Sequence, residues 1–87
     1  MRALVLYAHP DPASFGAAVH ETVVSGLRRA GHEVDDCDLY AEGFDPVLSC
    51  EERVGYHDLG TNQKNVAGYV ERLLRADALY LCFPVWN

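Results

Sequence analysis

Two stretches of this chain are apolar almost without interruption, Ala3-Leu4-Val5-Leu6-Tyr7-Ala8 and Ala78-Leu79-Tyr80-Leu81-Cys82-Phe83. Continuous runs of this kind mark strands covered on both faces, whereas a strand with one wet face alternates. Both are therefore expected as central strands of a parallel sheet, the first beginning at Arg2 and the last following Asp77. Between them the period changes. Phe15, Ala18, Val19, Thr22, Val23, Gly26, Leu27 and Ala30 recur at helical spacing, with His20, Glu21, Arg28 and Arg29 mostly on the other side. That pattern predicts a helix over residues 15–30 with the apolar stripe inward and His20 in solvent, ended by Gly31 as a left-handed cap.

Residues 32–40 predict another strand, but Val34, Asp36 and Asp38 alternate with Glu33, Asp35, Cys37 and Leu39 without a clean apolar face. Its acidic content marks a sheet edge. Gly43-Phe44-Asp45-Pro46 reads as a turn, Ser49 as the cap of a short helical turn, and residues 55–60 as surface loop. A second long helix is predicted with Thr61 or Asn62 as its cap, Val66, Tyr69, Val70, Leu73 and Leu74 buried, and Glu71, Arg72 and Arg75 outside. The resulting order, strand-helix-strand-helix-strand, implies an α/β fold with parallel crossovers. The lengths agree, since seven strand residues rise ~23 Å and sixteen helical residues ~24 Å. A ligand crevice belongs at the carboxyl ends of the strands where connections diverge, lined by the turns at residues 9–15 and 84–87.

The first of those turns, His9-Pro10-Asp11-Pro12-Ala13-Ser14-Phe15, carries the chemistry. It offers an imidazole, a hydroxyl and the first amides of a helix, all able to hydrogen-bond phosphate oxygens. It contains neither Lys nor Arg, so binding would rest on amide and hydroxyl geometry, as suits an anion held as part of a cofactor. The bland alternative is an ordinary capped turn, because Ser is a common helix cap.

Composition narrows the function further. With 49% hydrophobic and 23% charged residues in 87, the chain is ordinary material for one globular domain. A formal net charge of −6 with scattered basic residues argues against nucleic acid. Cys37, Cys50 and Cys82 are odd in number and lack metal-ligand spacing, which disfavours a disulfide framework and a zinc site and makes a reducing cytoplasm the default. No apolar run approaches the ~20 residues of a membrane span. His57-Asp58 has no second ligand at usable spacing, and Cys82 reads as a small core residue. The first loop lacks the cysteine of a low-molecular-weight phosphatase, and no Gly-x-Gly-x-x-Gly is present.

Three blocks in order and spacing, His9 to Phe15, Asp38 to Ser49 and Phe83-Pro84-Val85-Trp86-Asn87, resemble the flavodoxin-like NAD(P)H dehydrogenase (quinone) family. The resemblance implies a flavodoxin-like open parallel sheet, of which residues 1–87 are expected to be the amino-terminal part, three strands of five. It implies FAD or FMN as cofactor, NAD(P)H as donor, a quinone-like acceptor, and a homodimer at full length. His9 matches the family's flavin-phosphate histidine, Ser14 and Phe15 match neighbouring phosphate positions, and Pro84, Val85, Trp86 and Asn87 match the segment along the flavin ring. Gly16 departs from relatives with Asn there, leaving that contact to its backbone amide. No catalytic acid or base is identified. The family also contains ancillary subunits of ion-efflux systems, which keeps a regulatory flavin-binding role open, as does an inactive fragment. Three strands alone would leave Leu81 and Phe83 in a strand with one unpaired flank, so weak flavin binding and easy aggregation are expected.

Overall fold

The computed structural model describes residues 1–85. It contains strand β1 (Arg2–Tyr7), helix α1 (Phe15–Arg29), strand β2 (Glu33–Asp38), short helices α2 (Cys50–Val54) and α3 (Leu59–Asn62), helix α4 (Ala67–Arg75) and strand β3 (Ala78–Cys82), with a 3₁₀ turn at Lys64–Val66. The three strands form one parallel sheet in the order β2-β1-β3, with Val5 beside Asp36 on one flank and Tyr80 on the other. The predicted α/β architecture is present, and β1 is the central strand its apolar run predicts. Ala3, Leu4, Val5 and Tyr7 are buried, joined by Val24 of α1 and Cys37 of β2.

β3 is equally apolar but lies at the edge, paired only with β1 among the described residues. Leu79 and Leu81 are consequently 49% and 58% exposed, and the unpaired flank predicted for this strand is present. β2 occupies the opposite edge, as its acidic content predicts.

Both long helices are turned relative to their apolar stripes. In α1 the side toward the sheet is formed by Ala17, His20, Val23, Val24 and Leu27, while Phe15, Ala18, Val19, Thr22, Gly26 and Ala30 are exposed. His20, predicted in solvent, stacks on Tyr7 with ring centroids 4.0 Å apart and planes at 7°, and its Nε2 lies 2.7 Å from Asp36 Oδ1. In α4, Tyr69, Arg72 and Leu73 line a cavity against Leu4, Leu6 and Cys37, whereas Leu74 is 82% exposed. Both turned faces meet β2. Side chains alternate along β2, so Asp36 faces α1 and Asp35 faces α4, and each helix turns a basic side chain toward a carboxylate.

The start of α4 also differs from the prediction. Asp58 caps the preceding α3, accepting the Gly60 amide at 3.0 Å and the Thr61 hydroxyl at 3.1 Å, while Asn62 Nδ2 donates to the Tyr56 carbonyl. Thr61 and Asn62 are therefore spent within α3, and α4 begins after Val66 without a side-chain cap. Ser49 does cap α2 as expected, in a reciprocal capping box with Glu52.

Candidate functional site

At the carboxyl end of β1 the chain makes a turn that its own side chains organise. The Asp11 amide donates to His9 Nδ1 at 3.0 Å, the Ala13 amide to Asp11 Oδ1 at 2.9 Å, and the Ser14 amide to the Asp11 carbonyl at 3.2 Å. His9 Nδ1 thus serves as an acceptor for the turn that follows it. Ser14 then caps α1, its Oγ accepting the Ala17 amide at 3.0 Å. That hydroxyl retains its own proton for donation.

Phe15 and Gly16 supply the first amides of a helix of 15 residues, at the positive end of its dipole, with no acidic residue in the first turn. A Cβ on Gly16 would sit 3.4 Å from His9 Cδ2, an ordinary van der Waals contact, which places Gly16 directly beside the ring. The whole turn is tied to the sheet from both flanks, by the Ala8 amide to the Cys82 carbonyl at 3.0 Å and the Leu39 amide to the Tyr7 carbonyl at 2.9 Å.

Because β1 connects to β2 on one side while β3 flanks it on the other, the turn lies where the connections diverge, the position at which α/β sheets open a crevice. Two grooves meet there. One, of about 430 Å³, runs between α1 and β3 and is lined by His9, Phe15, Gly16, Val19, Phe83 and Pro84 among others. The second, of about 620 Å³, is walled by Ala8 and by the segment after β2, including Leu39, Tyr40, Phe44 and Pro46. The sequence-predicted residues His9, Phe15, Gly16 and Pro84 thus share one groove, with Ser14 at its helix cap. Val85 is exposed at the end of the described chain, and the predicted contacts of Trp86 and Asn87 lie outside the described residues.

Sequence reasoning missed the wall opposite. Residues 38–44 fold into a tight double turn, with the Glu42 amide on the Asp38 carbonyl at 2.9 Å, the Phe44 amide on the Leu39 carbonyl at 3.0 Å, and Gly43 at φ +67°. Gly43 is required there because that backbone region penalises any Cβ. Phe44 then packs edge-on against Tyr69 of α4, centroids 5.0 Å apart. The Gly-Phe-Asp-Pro turn signal was visible in sequence; its docking on α4 was not.

Titration behaviour separates structural from reactive groups. Burial pushes the Cys37 thiol up to about 11, and burial also raises Cys82, so neither is an activated nucleophile. The hydrogen bonds from Arg72 hold the carboxyls of Asp35 and Glu42 below their ordinary values. Among the described residues no group of His, Cys, Asp and Glu is arranged to hold a metal ion, and no helix is long and apolar enough to cross a membrane.

Comparison with known proteins agrees with this geometry. The profile of a family described by its flavodoxin-like fold matches residues 1–87. The chain is 44% identical over 54 residues to NAD(P)H dehydrogenase [quinone] 1 of Cavia porcellus, a match covering 62% of this chain and 20% of that protein. It is 31% identical over 87 residues to an uncharacterized NAD(P)H oxidoreductase of Haemophilus influenzae, covering 99% of this chain and 43% of the other. Among solved structures, an NAD(P)H:quinone oxidoreductase from Methanothermobacter marburgensis superposes with a TM-score of 0.84 at 35% identity, over 99% of this chain and 45% of that one. The chain therefore spans less than half the length of the relatives it matches.

Proposed function

Because the chain belongs to this flavodoxin-like family along its whole length, we propose that its parent protein is a flavin-dependent NAD(P)H:quinone oxidoreductase holding FAD or FMN at the turn between β1 and α1. The observation that carries this reading is the turn at residues 9–16, where a serine cap and the first amides of α1 share a groove with the His9 ring, with no acidic side chain in the first helical turn. Such a set fits a phosphate group. The names of the relatives support NAD(P)H as donor and a quinone as acceptor.

In this reading Phe15 and Gly16 would donate their amides and Ser14 its hydroxyl proton to the cofactor's phosphate, with the His9 ring beside them. The segment from Pro84 through Val85, Trp86 and Asn87 borders the flavin ring. Two-electron transfer from NAD(P)H to a quinone is the chemistry that a bound flavin supplies. The chain's own part is to bind and orient it by fixed backbone donors. Exposed Phe15, Leu81 and Phe83 border this groove; the parent protein is proposed to be a homodimer, and the three free cysteines suit a cytoplasmic location.

The test is flavin titration of the purified chain, with FAD and with FMN, beside a preparation of the whole parent protein. The parent protein is expected to carry visible flavin absorbance that NAD(P)H bleaches and a quinone restores. A parent protein that binds neither flavin and oxidises no NAD(P)H with any quinone overturns the proposal.

A further inference from the structure

Arg72, on the sheet-facing side of α4, engages all three guanidinium nitrogens with two carboxylates. Nε and Nη2 donate to Asp35 at 3.0 and 2.8 Å, and Nη1 and Nη2 donate to Glu42 at 2.7 and 3.2 Å. Both pairs are fork-like and directional, a geometry lysine cannot reproduce. The two arms differ in what they hold. Asp35 lies within β2 with its side chain 16% exposed, so that arm ties α4 to the sheet. Glu42 lies in the double turn after β2, so the other arm reaches into the wall of the crevice.

Around that arm the contacts form a continuous chain. The Arg72 guanidinium lies 5.7 Å from the centroid of the Tyr69 ring, and Tyr69 in turn meets Phe44 edge to face. Two residues before Phe44 stands Glu42 itself, and between them Gly43 at positive φ lets the backbone reverse. Leu39, Tyr40, Gly43, Phe44, Asp45 and Pro46 then face Ala8, the residue before His9, across the cavity of about 620 Å³. The position of the 39–46 segment therefore sets how wide the crevice opens opposite the β1–α1 turn.

From this arrangement we infer that Arg72 is a positioning residue for the cofactor crevice: through Glu42 it fixes the 39–46 wall opposite Ala8, while through Asp35 it takes its own bearing from the sheet. The inference rests on the flavin reading for the identity of the ligand, but the placement of the wall stands on the contacts of Arg72, Glu42, Tyr69 and Phe44 alone. No step of electron transfer is assigned to Arg72, which does not line either groove at the β1–α1 turn.

The two arms make the test selective. Glu42→Gln keeps shape and releases the wall arm; Asp35→Asn keeps shape and releases the sheet arm. Hydrogen exchange of the Gly43 and Phe44 amides is measured in the chain without cofactor, together with the urea midpoint and the flavin dissociation constant. Glu42→Gln is expected to speed exchange of those two amides by about tenfold while β1 amides keep their protection, and to weaken flavin binding by a similar factor. Asp35→Asn is expected to lower the urea midpoint more and to act on wall and sheet amides together. If Glu42→Gln leaves the Gly43 and Phe44 amides as protected as before, or loosens them without changing flavin affinity, Arg72 is only a structural tie and the inference is wrong. If the unsubstituted chain and the parent protein both bind no flavin, the functional reading fails, and the exchange result alone decides whether Arg72 places the wall. Glu42, at 32% side-chain exposure, is the variant expected to fold in any case.

Discussion

Replacing His20 by alanine distinguishes most sharply between a helix read by its hydrophobic stripe and the helix as it packs. On the stripe, His20 is a solvated side chain, and truncating it would change stability by no more than about 0.5 kcal/mol. In the structure the ring is 15% exposed, lies flat on Tyr7 at 4.0 Å, and reaches Asp36 Oδ1 at 2.7 Å. The stack is worth about 1 kcal/mol and the bond to a carboxylate about as much again; Asp36, at 32% side-chain exposure, is rehydrated when the ring goes, so no buried-charge penalty is added. The expected loss is about 2 kcal/mol, or roughly 8–16 °C in melting temperature for a domain of this size. Urea unfolding of His20→Ala, of Glu21→Ala as an exposed neighbour, and of His20→Phe measures it. The phenylalanine retains the stack and is expected to recover about half the loss. In a cycle with Asp36→Asn the coupling should be near 1 kcal/mol. A His20→Ala chain within about 0.5 kcal/mol of the original would show that the imidazole does not hold α1 to β1 and β2, and the reasoning would fail.

Ser14→Ala removes the cap of α1 and is expected to cost about 1 kcal/mol in urea unfolding and to weaken phosphate or flavin binding as well, whereas Ser14→Asp should restore stability but not anion affinity. Asp35 and Glu42 have lowered native pKa values, so the unfolded chain protonates first as pH falls. Their contribution is complete above the ordinary carboxylate values near 4 and is lost as pH drops through the lowered ones; Arg72→Met should therefore destabilise most at neutral pH, with the difference shrinking in acid. Cys37, fully buried with its thiol pushed up to about 11, should resist thiol reagents at pH 8 until the chain unfolds, while exposed Cys50 is modified at once; mass spectrometry of the labelled peptides checks the order.

The sequence by itself determined the alternation of strands and helices, because continuous apolar runs and the 3.6-residue period register how each segment avoids water. It made the Ser14 cap of α1 legible as well, because that hydroxyl acts on an amide three residues on and its role is local. It also marked β2 as an edge by its carboxylates. What it left undecided is which residues those carboxylates would meet. Only the tertiary structure brings Asp36 to His20 across 16 residues and Asp35 to Arg72 across 37, through sheet register and the turn of each helix. A hydrophobic period measures one segment's preference against water, and a polar side chain on its apparent outer face carries no trace of a partner supplied by another segment. The same reason hid the wall at residues 39–46, whose turn chemistry is local but whose placement against α4 depends on one guanidinium shared between strand and loop.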